Sequence, residues 1–442
     1  MNVTIENLAA CRKLLKVDVE ASAVGEAYET VTTQMQREVK LPGFRPGKVP
    51  RNIIEKNFSR ELENEVRRKI INDSYRKALA DHKIHVVGSP EIKEGNFAPS
   101  QNFTFDITVE TAPEFDLPEY KGLPAKKEAR PVSDQDVDRA FDILRQRGAT
   151  YNDVERPAQE GDIVVVNYSG TSEDRPLTDF APTARGLTHQ ENFWMEIKPD
   201  SFIPGFTEQL AGANKGEKRT VNIEFPADFV SEALSGKKAV YQVEIVQVEE
   251  KVLPELTDEF AKQWGAESLE QLRESIRKDL ENELVVKTRR SIRSQLVENL
   301  SQRVQCELPE SLVAGETRNV IYDIVSENQQ RGIAKEAIDE KKQEIFEYAS
   351  ASAKEKLKVA FLLGRIAEKE KVTVSREELL ARIYQIAQER QVKPDKLIKD
   401  LQKSNGISQI HEQILMGKVV DLLEQNAQIE EVPPQPEQQP AS

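Results

Sequence analysis

The sequence predicts a multidomain α+β protein, in which an α+β N-terminal domain and a mostly β middle domain precede a mostly α-helical C-terminal region. Its 442 residues are enough for about two to four domains. Alternation of apolar and polar residues, which is typical of strands, occurs at 12–19 and 103–109, and strand-like runs separated by Gly and Pro recur over 157–248. After Pro254 the apolar residues recur at helical spacing instead, and proline-rich stretches separate the parts.

The N-terminal domain is expected over residues 1–113. The segments RKLLKVDV and FTFDITV alternate between apolar and polar residues, so both are predicted strands. Between them we expect two helices, of which the second starts at Pro50, a residue suited to a first helical turn. In order, the expected elements are a strand over 12–19, a helix over 21–40, a single second helix from Pro50 past Ile71 and a strand over 103–109.

The turn between these helices, residues 41–50, reads LPGFRPGKVP and places Phe44 between Gly43 and Arg45. Its prolines and glycines cannot continue a helix. Local chemistry leaves two interpretations open: a turn whose phenylalanine packs into a local core, or an exposed docking tip. Residues 37–83 carry thirteen Lys or Arg against seven Asp or Glu, although the whole chain has a net charge of −14. Such a local excess indicates either one anionic partner or a solvated helix face.

Residues 114–156 begin as a proline-rich linker and continue into a helix over 133–147 that has a serine cap and an acidic first turn. We expect this helix to pack on the C-terminal body. Residues 249–430 are predicted to be almost wholly helical, and residues 431–442 form a low-complexity tail that is expected to be disordered. Helix boundaries are expected at Pro309, at Pro394 and at a capping-box-like start at Ser375.

Several apolar residues of the helical region look exposed by their pattern, although ordinary core packing explains most such residues. They are Val320, Ile321, Ile324, Phe346, Leu357, Phe361 and Leu362.

The sequence lacks the motifs of metal-dependent, ATP-driven and covalent chemistry. Its four histidines form no HExxH motif, no Cys/His cluster has zinc spacing, and no GxSxG elbow occurs. The segment GANKGEK at 212–218 lacks the ending of a phosphate loop. We therefore expect no cofactor and no metal. The two distant cysteines suit a reducing cytosol, and no secretory signal or membrane-spanning run is present, so we expect a cytoplasmic protein without a membrane partner.

The middle segment, residues 157–248, combines strand-like runs with aromatic residues at characteristic spacing. In order and spacing it resembles the FKBP-type peptidyl-prolyl isomerases over nearly its whole length. The matching residues are Gly161-Asp162, Tyr168, Gly170, Phe193-Trp-Met195, Phe202-Ile-Pro-Gly-Phe206, Gly212, Gly216, Phe225-Pro, Gly236-Lys237 and Tyr241.

The resemblance implies a proline-binding pocket. The implied catalytic residues are Tyr168, Phe193, Ile203, Phe206 and Tyr241, and the implied substrate-binding residues are Met195 and Phe202. The Ile203 N–H would face a substrate carbonyl. Rotation of an X–Pro bond over about 18–20 kcal/mol breaks no covalent bond, so a dry aromatic pocket that favours the less polar twisted amide suffices. The same aromatic residues also suit a plain β-barrel core.

Two departures from the FKBP pattern lead us to expect modest activity. The Phe-Asp pair that the family carries in its pocket is not recognisable, because the corresponding segment has the order Asp179-Phe180. Lys198 stands where a glycine is common.

An FKBP-type domain between an α+β N-terminal domain and a helical region, together with the GFRxGxxP pattern at 43–50, resembles the bacterial trigger factor family over essentially the full length. The resemblance implies a ribosome-binding domain, a helical chaperone domain with arms, and docking on the large ribosomal subunit near the polypeptide exit. Pro46 occupies a position that is often basic in relatives. The implied ribosome-binding residues are Gly43, Phe44, Arg45, Gly47, Lys48 and Pro50.

We therefore expect an ATP-independent ribosome-associated chaperone that binds nascent and unfolded polypeptides and isomerises prolyl bonds. The resemblance also allows for a homodimer of the ribosome-free chain. Two alternatives remain open at this point. One is a free prolyl isomerase whose helical domains recruit substrates, and the other is a non-enzymatic ribosome-bound factor that uses the isomerase fold as a client clamp.

Overall fold

The computed structural model describes residues 1–433 except 40, 43, 45–48, 100, 174, 182–183, 185, 200, 227–228, 230–233, 332, 334 and 405. The described chain divides into two compact units. The first unit consists of Met1–Glu128 with Arg289–Val432, and the second of Ala129–Thr288. The chain therefore leaves the first unit and returns to it. Within the described residues, no helix is both long enough and apolar enough to span a bilayer.

The N-terminal part of the first unit is an antiparallel sheet in the order β1-β2-β4-β3, packed against helices. In β4 every second side chain is buried, as strict alternation requires, and Ile107 joins Val24 and Val66 from the helices in one core. The predicted strands over 12–19 and 103–109 are confirmed, whereas β1 and β3 were not predicted. The elements are β1 (Asn2–Ala9), β2 (Arg12–Val19), α1 (Ala21–Glu38), α2 (Arg51–Asn57), α3 (Ser59–His82), β3 (Val86–Glu94) and β4 (Phe103–Thr111).

The prediction of one continuous helix after Pro50 is wrong. The chain forms two helices, because the backbone of Phe58 is not helical, with φ −126° and ψ 29°. Phe58 is the C-cap of α2 and also the N-cap of α3. Pro50 itself precedes the first helical residue as its N-cap. The apolar spacing continues across the break, which explains why the sequence pattern did not reveal it.

The remainder of the first unit is helical and closes with a short strand. Its main core joins Leu296, Leu363 and Val419 from three helices to Leu123. The capping box predicted at Ser375 is confirmed, with Glu378 as its partner. The elements are β5 (Pro124–Glu128), the part of α7 (Leu269–Gln302) from Arg289 onward, α8 (Glu310–Gln330), α9 (Lys335–Glu340), α10 (Lys342–Glu370), α11 (Arg376–Glu389), α12 (Pro394–Lys403), α13 (Gly406–Gln425) and β12 (Gln428–Val432).

Two sequence expectations are corrected at the edge of this body. The supposed linker contains β5, which pairs in parallel with β12. The tail was expected to be disordered from residue 431, but Glu431 and Val432 belong to β12, where they pair with Lys127 and Glu128. A parallel pair between segments so distant in sequence leaves no local signal. The rest of the predicted tail, residues 434–442, lies outside the described residues.

The second unit contains a six-stranded antiparallel sheet in the order β10-β11-β7-β8, with β6 on β11 and β9 on β7. The strand-like runs predicted within residues 157–248 are confirmed as β7, β9, β10 and β11. The helix predicted over 133–147 is confirmed, with a capping box between Ser133 and Asp136. The elements are α4 (Asp134–Arg147), β6 (Thr150–Asp153), β7 (Ile163–Ser172), β8 (Arg175–Pro176), α5 (Leu177–Phe180), β9 (His189–Glu196), a 3-10 turn (Thr207–Leu210), β10 (Lys218–Glu224), β11 (Lys238–Val252) and α6 (Asp258–Gln263).

Candidate isomerase site and client cavity

Three neighbouring strands of the second unit carry four of the expected pocket residues. Tyr168 on β7 and Tyr241 on β11 lie on directly paired strands. Phe193 and Met195 lie on β9, which pairs with β7 on its other edge. Because successive strand residues face opposite sides, Phe193 and Met195 point toward the core, while Trp194 between them is 55% exposed.

The segment after β9 contributes the other three expected residues, Phe202, Ile203 and Phe206. It is held in place by its own hydrogen bonds. The Phe206 N–H donates to the Ile203 carbonyl at 2.9 Å, and the buried Thr207 hydroxyl donates to the Lys198 carbonyl at 2.7 Å. These bonds turn the chain so that its aromatic side chains meet those of the strands.

The rings form one continuous cluster. The Tyr168 ring centroid lies 5.7 Å from that of Phe193, 5.6 Å from that of Phe202 and 6.0 Å from those of Phe206 and Tyr241. Phe206 lies 5.2 Å from Phe202 and 5.1 Å from Tyr241, with rings close to perpendicular. Edge-to-face contacts of this kind stabilise an aromatic cluster beyond simple burial. The structure therefore brings together the aromatic residues selected from the sequence.

The two tyrosine hydroxyls hold the chain segment above the cluster. The Tyr241 hydroxyl donates to the Leu187 carbonyl at 2.7 Å, and the Tyr168 hydroxyl donates to the Gly186 carbonyl. Burial raises the pKa of Tyr168 to about 12 and raises the pKa of Tyr241 further, with an added contribution from Tyr168. Both groups therefore stay protonated at neutral pH and keep donating to these carbonyls.

Gly170 on β7 leaves the space that the Tyr241 ring needs. A Cβ atom at this position would lie 2.5 Å from Leu177 Cδ1 and 2.7 Å from Tyr241 Cε1. Because real Cβ atoms do not approach other heavy atoms so closely, a larger residue here would displace the ring. Gly170 is thus a requirement of the cluster itself.

The cluster has a buried part and a partly exposed part. Phe193 and Phe202 keep intermediate exposure. The other five expected residues are buried, namely Tyr168, Met195, Ile203, Phe206 and Tyr241. An apolar surface of this kind can hold a proline ring and lower the polarity around its imide, a function that needs no nucleophile. Among the described residues, no group of three or more His, Cys, Asp or Glu could hold a metal ion.

Phe229 packs against the hydrophobic core of the same domain, although the sequence argument did not select it. Its side chain is partly buried, and its ring lies 4.8 Å from that of Phe225. The Phe225-Pro pair was noted, but Phe229 follows it in a segment without strand or helix periodicity.

The expected ribosome-docking loop is described only in part. Phe44 is 39% exposed. Val49, by contrast, is buried, and its carbonyl accepts a hydrogen bond from the Gln36 side chain of α1 at 3.0 Å. The predicted docking residues Gly43, Arg45, Gly47 and Lys48 lie outside the described residues.

The first unit also contains a cavity of about 1660 Å³ between the N-terminal part and the helical body. This volume exceeds the roughly 300–1,000 Å³ typical of small-molecule pockets. Its apolar wall includes Leu357 and Phe361, two of the residues singled out in the sequence. A second groove of about 870 Å³ includes Ile321 and Phe346, whereas Leu362 is core.

Family models and relatives of similar sequence agree with this architecture. The family model described as bacterial trigger factor protein matches residues 1–144, its C-terminal counterpart matches residues 268–425, and the FKBP-type peptidyl-prolyl cis-trans isomerase model matches residues 154–246. The trigger factor of Opitutus terrae is 35% identical over 98% of this chain and 100% of its own. That of Syntrophotalea carbinolica is 30% identical over 98% of this chain and 97% of its own. A solved trigger factor chaperone structure covers 96% of this chain and 99% of its own, with 23% identity and a TM-score of 0.47.

The fold and the aromatic cluster define an FKBP-type peptidyl-prolyl isomerase domain set within a larger chaperone. The chain belongs to the trigger factor family. It is a ribosome-associated chaperone with an FKBP-type isomerase domain, and its association with ribosomes is implied by the family. The family assignment made from the sequence is confirmed.

Proposed function

We propose that this protein docks on the large ribosomal subunit near the polypeptide exit and holds nascent or unfolded chains in the 1660 Å³ cavity without ATP. The observation that carries the proposal is the mixed lining of that cavity. Apolar side chains such as Leu357, Phe361 and the adaptable Met416 alternate with charged ones such as Arg365 and Glu412. Such a surface suits weak contacts with many different sequences.

The docking part of the proposal is supported by the exposed Phe44 at the tip between α1 and α2. Arg45 and Lys48, its neighbours in sequence, supply the positive charge that contacts with ribosomal RNA phosphates require. The apolar ring and the two cations would then act together, with Pro50 defining where α2 begins.

Residues 212–218 faintly resemble a phosphate loop, but their backbone N–H groups form hydrogen bonds within the domain. This supports the proposal that clients are held without ATP. The Gly212 N–H donates to the Ala158 carbonyl at 2.6 Å, and the Gly216 N–H donates to the Ile245 carbonyl at 2.7 Å. These backbone donors serve the fold, whereas a phosphate loop directs such groups at its ligand. A cytoplasmic location and a homodimer of the ribosome-free chain belong to the same proposal.

Co-sedimentation with ribosomes tests the docking assignment. We expect Phe44→Ala with Arg45→Ala to move the protein from the ribosomal pellet to the supernatant without lowering its unfolding temperature, because an exposed tip contributes little to a core. Wild-type binding should also weaken as salt is added. The matched control is Tyr384→Ala with Arg382→Ala, an exposed aromatic and a cation on α11. Docking through this loop would be refuted if the loop variant pelleted with ribosomes to the same extent as the control variant.

A further inference from the structure

The pair of strands that carries Tyr168 and Phe193 is interrupted by a β-bulge. Strand β7 pairs Val166 with Phe193 and Tyr168 with Gln190, so the single residue Asn167 lies opposite two residues of β9. An extra residue of this kind bends its strand and changes where the following side chain points. Here the following side chain is Phe193, in the partly exposed part of the aromatic cluster.

The bulge decides which side of the sheet Phe193 faces. Residues directly opposite each other in an antiparallel pair face the same side. If β9 continued regularly from Gln190, Asn192 would lie opposite Val166, and Phe193 would lie opposite Val165 on the other face of the sheet. Because of the extra residue, Phe193 lies opposite Val166 instead, which is fully buried in the core of the domain.

A side-chain hydrogen bond holds the bulge in place. The Asn192 N–H donates to Asn167 Oδ1 at 2.8 Å. Asn192 has a φ of +51°, in the left-handed region that residues other than glycine adopt infrequently. The amide of Asn167 therefore stabilises the one strained residue of β9, directly before Phe193.

The position of Phe193 matters because its ring contacts two others of the cluster. Its centroid lies 5.7 Å from that of Tyr168 and 5.3 Å from that of Phe202. Phe193 and Phe202 are the two partly exposed members of the cluster, so they are the rings that a client proline can reach first. A displacement of about 1 Å in a group that positions a substrate is enough to lower a reaction rate severely.

We propose that Asn167 is a positioning residue of the isomerase site, which holds the bulge at Asn192 and thereby the ring of Phe193. Neighbouring strand residues face opposite sides, so the Asn167 side chain lies on the face of β7 away from Tyr168. Its effect on the reaction passes through the backbone of β9. The inference concerns the isomerase activity and is independent of the proposed docking and holding functions.

Isomerisation of a short prolyl peptide by the full-length protein tests the inference. We expect Asn167→Ala to lower kcat/KM about fivefold, which corresponds to about 1 kcal/mol, the net contribution of a typical hydrogen bond. Asn167→Asp keeps an acceptor oxygen at the same place and should remain within about twofold of the wild-type value. The matched control is Asn102→Ala in the first unit, which removes the same type of bond, from the Ala21 N–H to Asn102 Oδ1 at 3.0 Å, and should leave kcat/KM unchanged.

A double-mutant cycle separates positioning from a general loss of stability. In a Phe193→Ala background, Asn167→Ala should lower kcat/KM by less than about twofold, because the ring through which Asn167 acts is absent. The inference is wrong if Asn167→Ala has the same effect with and without Phe193, or if folded Asn167→Ala keeps wild-type activity. Thermal unfolding shows whether each variant is folded. If the alanine variant is unfolded, Asn167→Gln, which displaces the same amide by one methylene, takes its place in the cycle.

Discussion

Phe202 and Phe206 lie four residues apart in the aromatic cluster but differ in what their side chains contribute to the fold. Phe206 is fully buried, and truncating a core phenylalanine to alanine costs about 3–5 kcal/mol. Phe202 is partly exposed, so it offers surface to a client proline at less cost to stability. Activity lost by Phe206→Ala would therefore be mixed with lost folding, which makes Phe202 the better probe of catalysis.

We expect Phe202→Ala to lower kcat/KM for a prolyl bond about tenfold, which corresponds to about 1.4 kcal/mol of transition-state stabilisation. The measurement is acceleration of a proline-limited refolding reaction, which is slow enough to follow separately. Trp194→Ala is the control, because its exposed ring points away from the cluster on the neighbouring strand. Unchanged activity of folded Phe202→Ala would remove this residue from the site.

Glu217 gives the isomerase domain a pH-dependent contribution to stability. Its carboxylate accepts hydrogen bonds from the Asn214 N–H and from Arg219 Nε, both at 2.8 Å. The Asn214 backbone bond first, and Arg219 second, lower the pKa of Glu217 to about 2. Because the unfolded chain has the ordinary value of about 4.3, this stabilisation is complete above that pH and is lost as the pH falls through about 2.

Glu217→Gln should therefore lower the urea midpoint of unfolding at neutral pH. The difference in midpoint between the variant and the wild-type protein should become smaller between about pH 4 and about pH 2. Urea titrations at a series of pH values measure this directly. Glu191→Gln, an exposed substitution on β9, controls for the loss of one negative charge. A difference in urea midpoint that stays constant down to the lowest pH would contradict the role assigned to the Glu217 carboxylate.

At the scale of an element, helix α7 has residues of very different burial along one continuous length. Leu296 is fully buried in the main helical core, whereas Val286 is 68% exposed. We expect Leu296→Ala to lower the free energy of unfolding by about 2–5 kcal/mol, from lost burial and the cavity left behind. Val286→Ala should change it by less than about 0.5 kcal/mol.

Urea unfolding followed by circular dichroism gives both values. If Leu296→Ala and Val286→Ala have similar effects, the part of α7 around Leu296 is not stabilised by the main helical core. This part of α7 is also attached to α13 by ion pairs, because Arg289 and Arg293 each bind Asp421 and Glu424.

At the scale of the whole molecule, the isomerase domain is an insertion with adjacent ends. The Val154 N–H donates to the Val248 carbonyl at 3.0 Å, so the chain enters and leaves the domain at one place. The large cavity is formed entirely by the first unit. Deletion of residues 157–248, closed by a short flexible linker, should therefore preserve most of the ability to suppress client aggregation without ATP.

Light scattering from an unfolding client measures this activity. Phe361→Asp in the full-length protein is the complementary variant, because it places a charge on the apolar wall of the cavity and should weaken holding. If the folded deletion variant loses all holding while Phe361→Asp keeps it, clients are held by the isomerase domain and the cavity has been assigned the wrong role.

Local patterns allowed much of this protein to be predicted from its sequence. Strict alternation identified β4, side-chain caps identified the starts of α4 and α11, and the resemblance to the FKBP-type isomerases identified the residues of the isomerase cluster. The alternation and the caps depend on neighbours within a few residues, where backbone geometry and side-chain direction are linked directly to residue type. The family assignment followed from such motifs in their order along the chain.

Tertiary structure decided what depends on residues distant in the sequence. The pairing of β5 with β12, the packing of Phe229 and the separation of Phe202 from the buried Phe206 all result from chain segments that meet only after folding. The sequence by itself determined which elements form and which family they belong to. Only the fold decided which side chains are exposed, because exposure is set by packing between elements that no local pattern records.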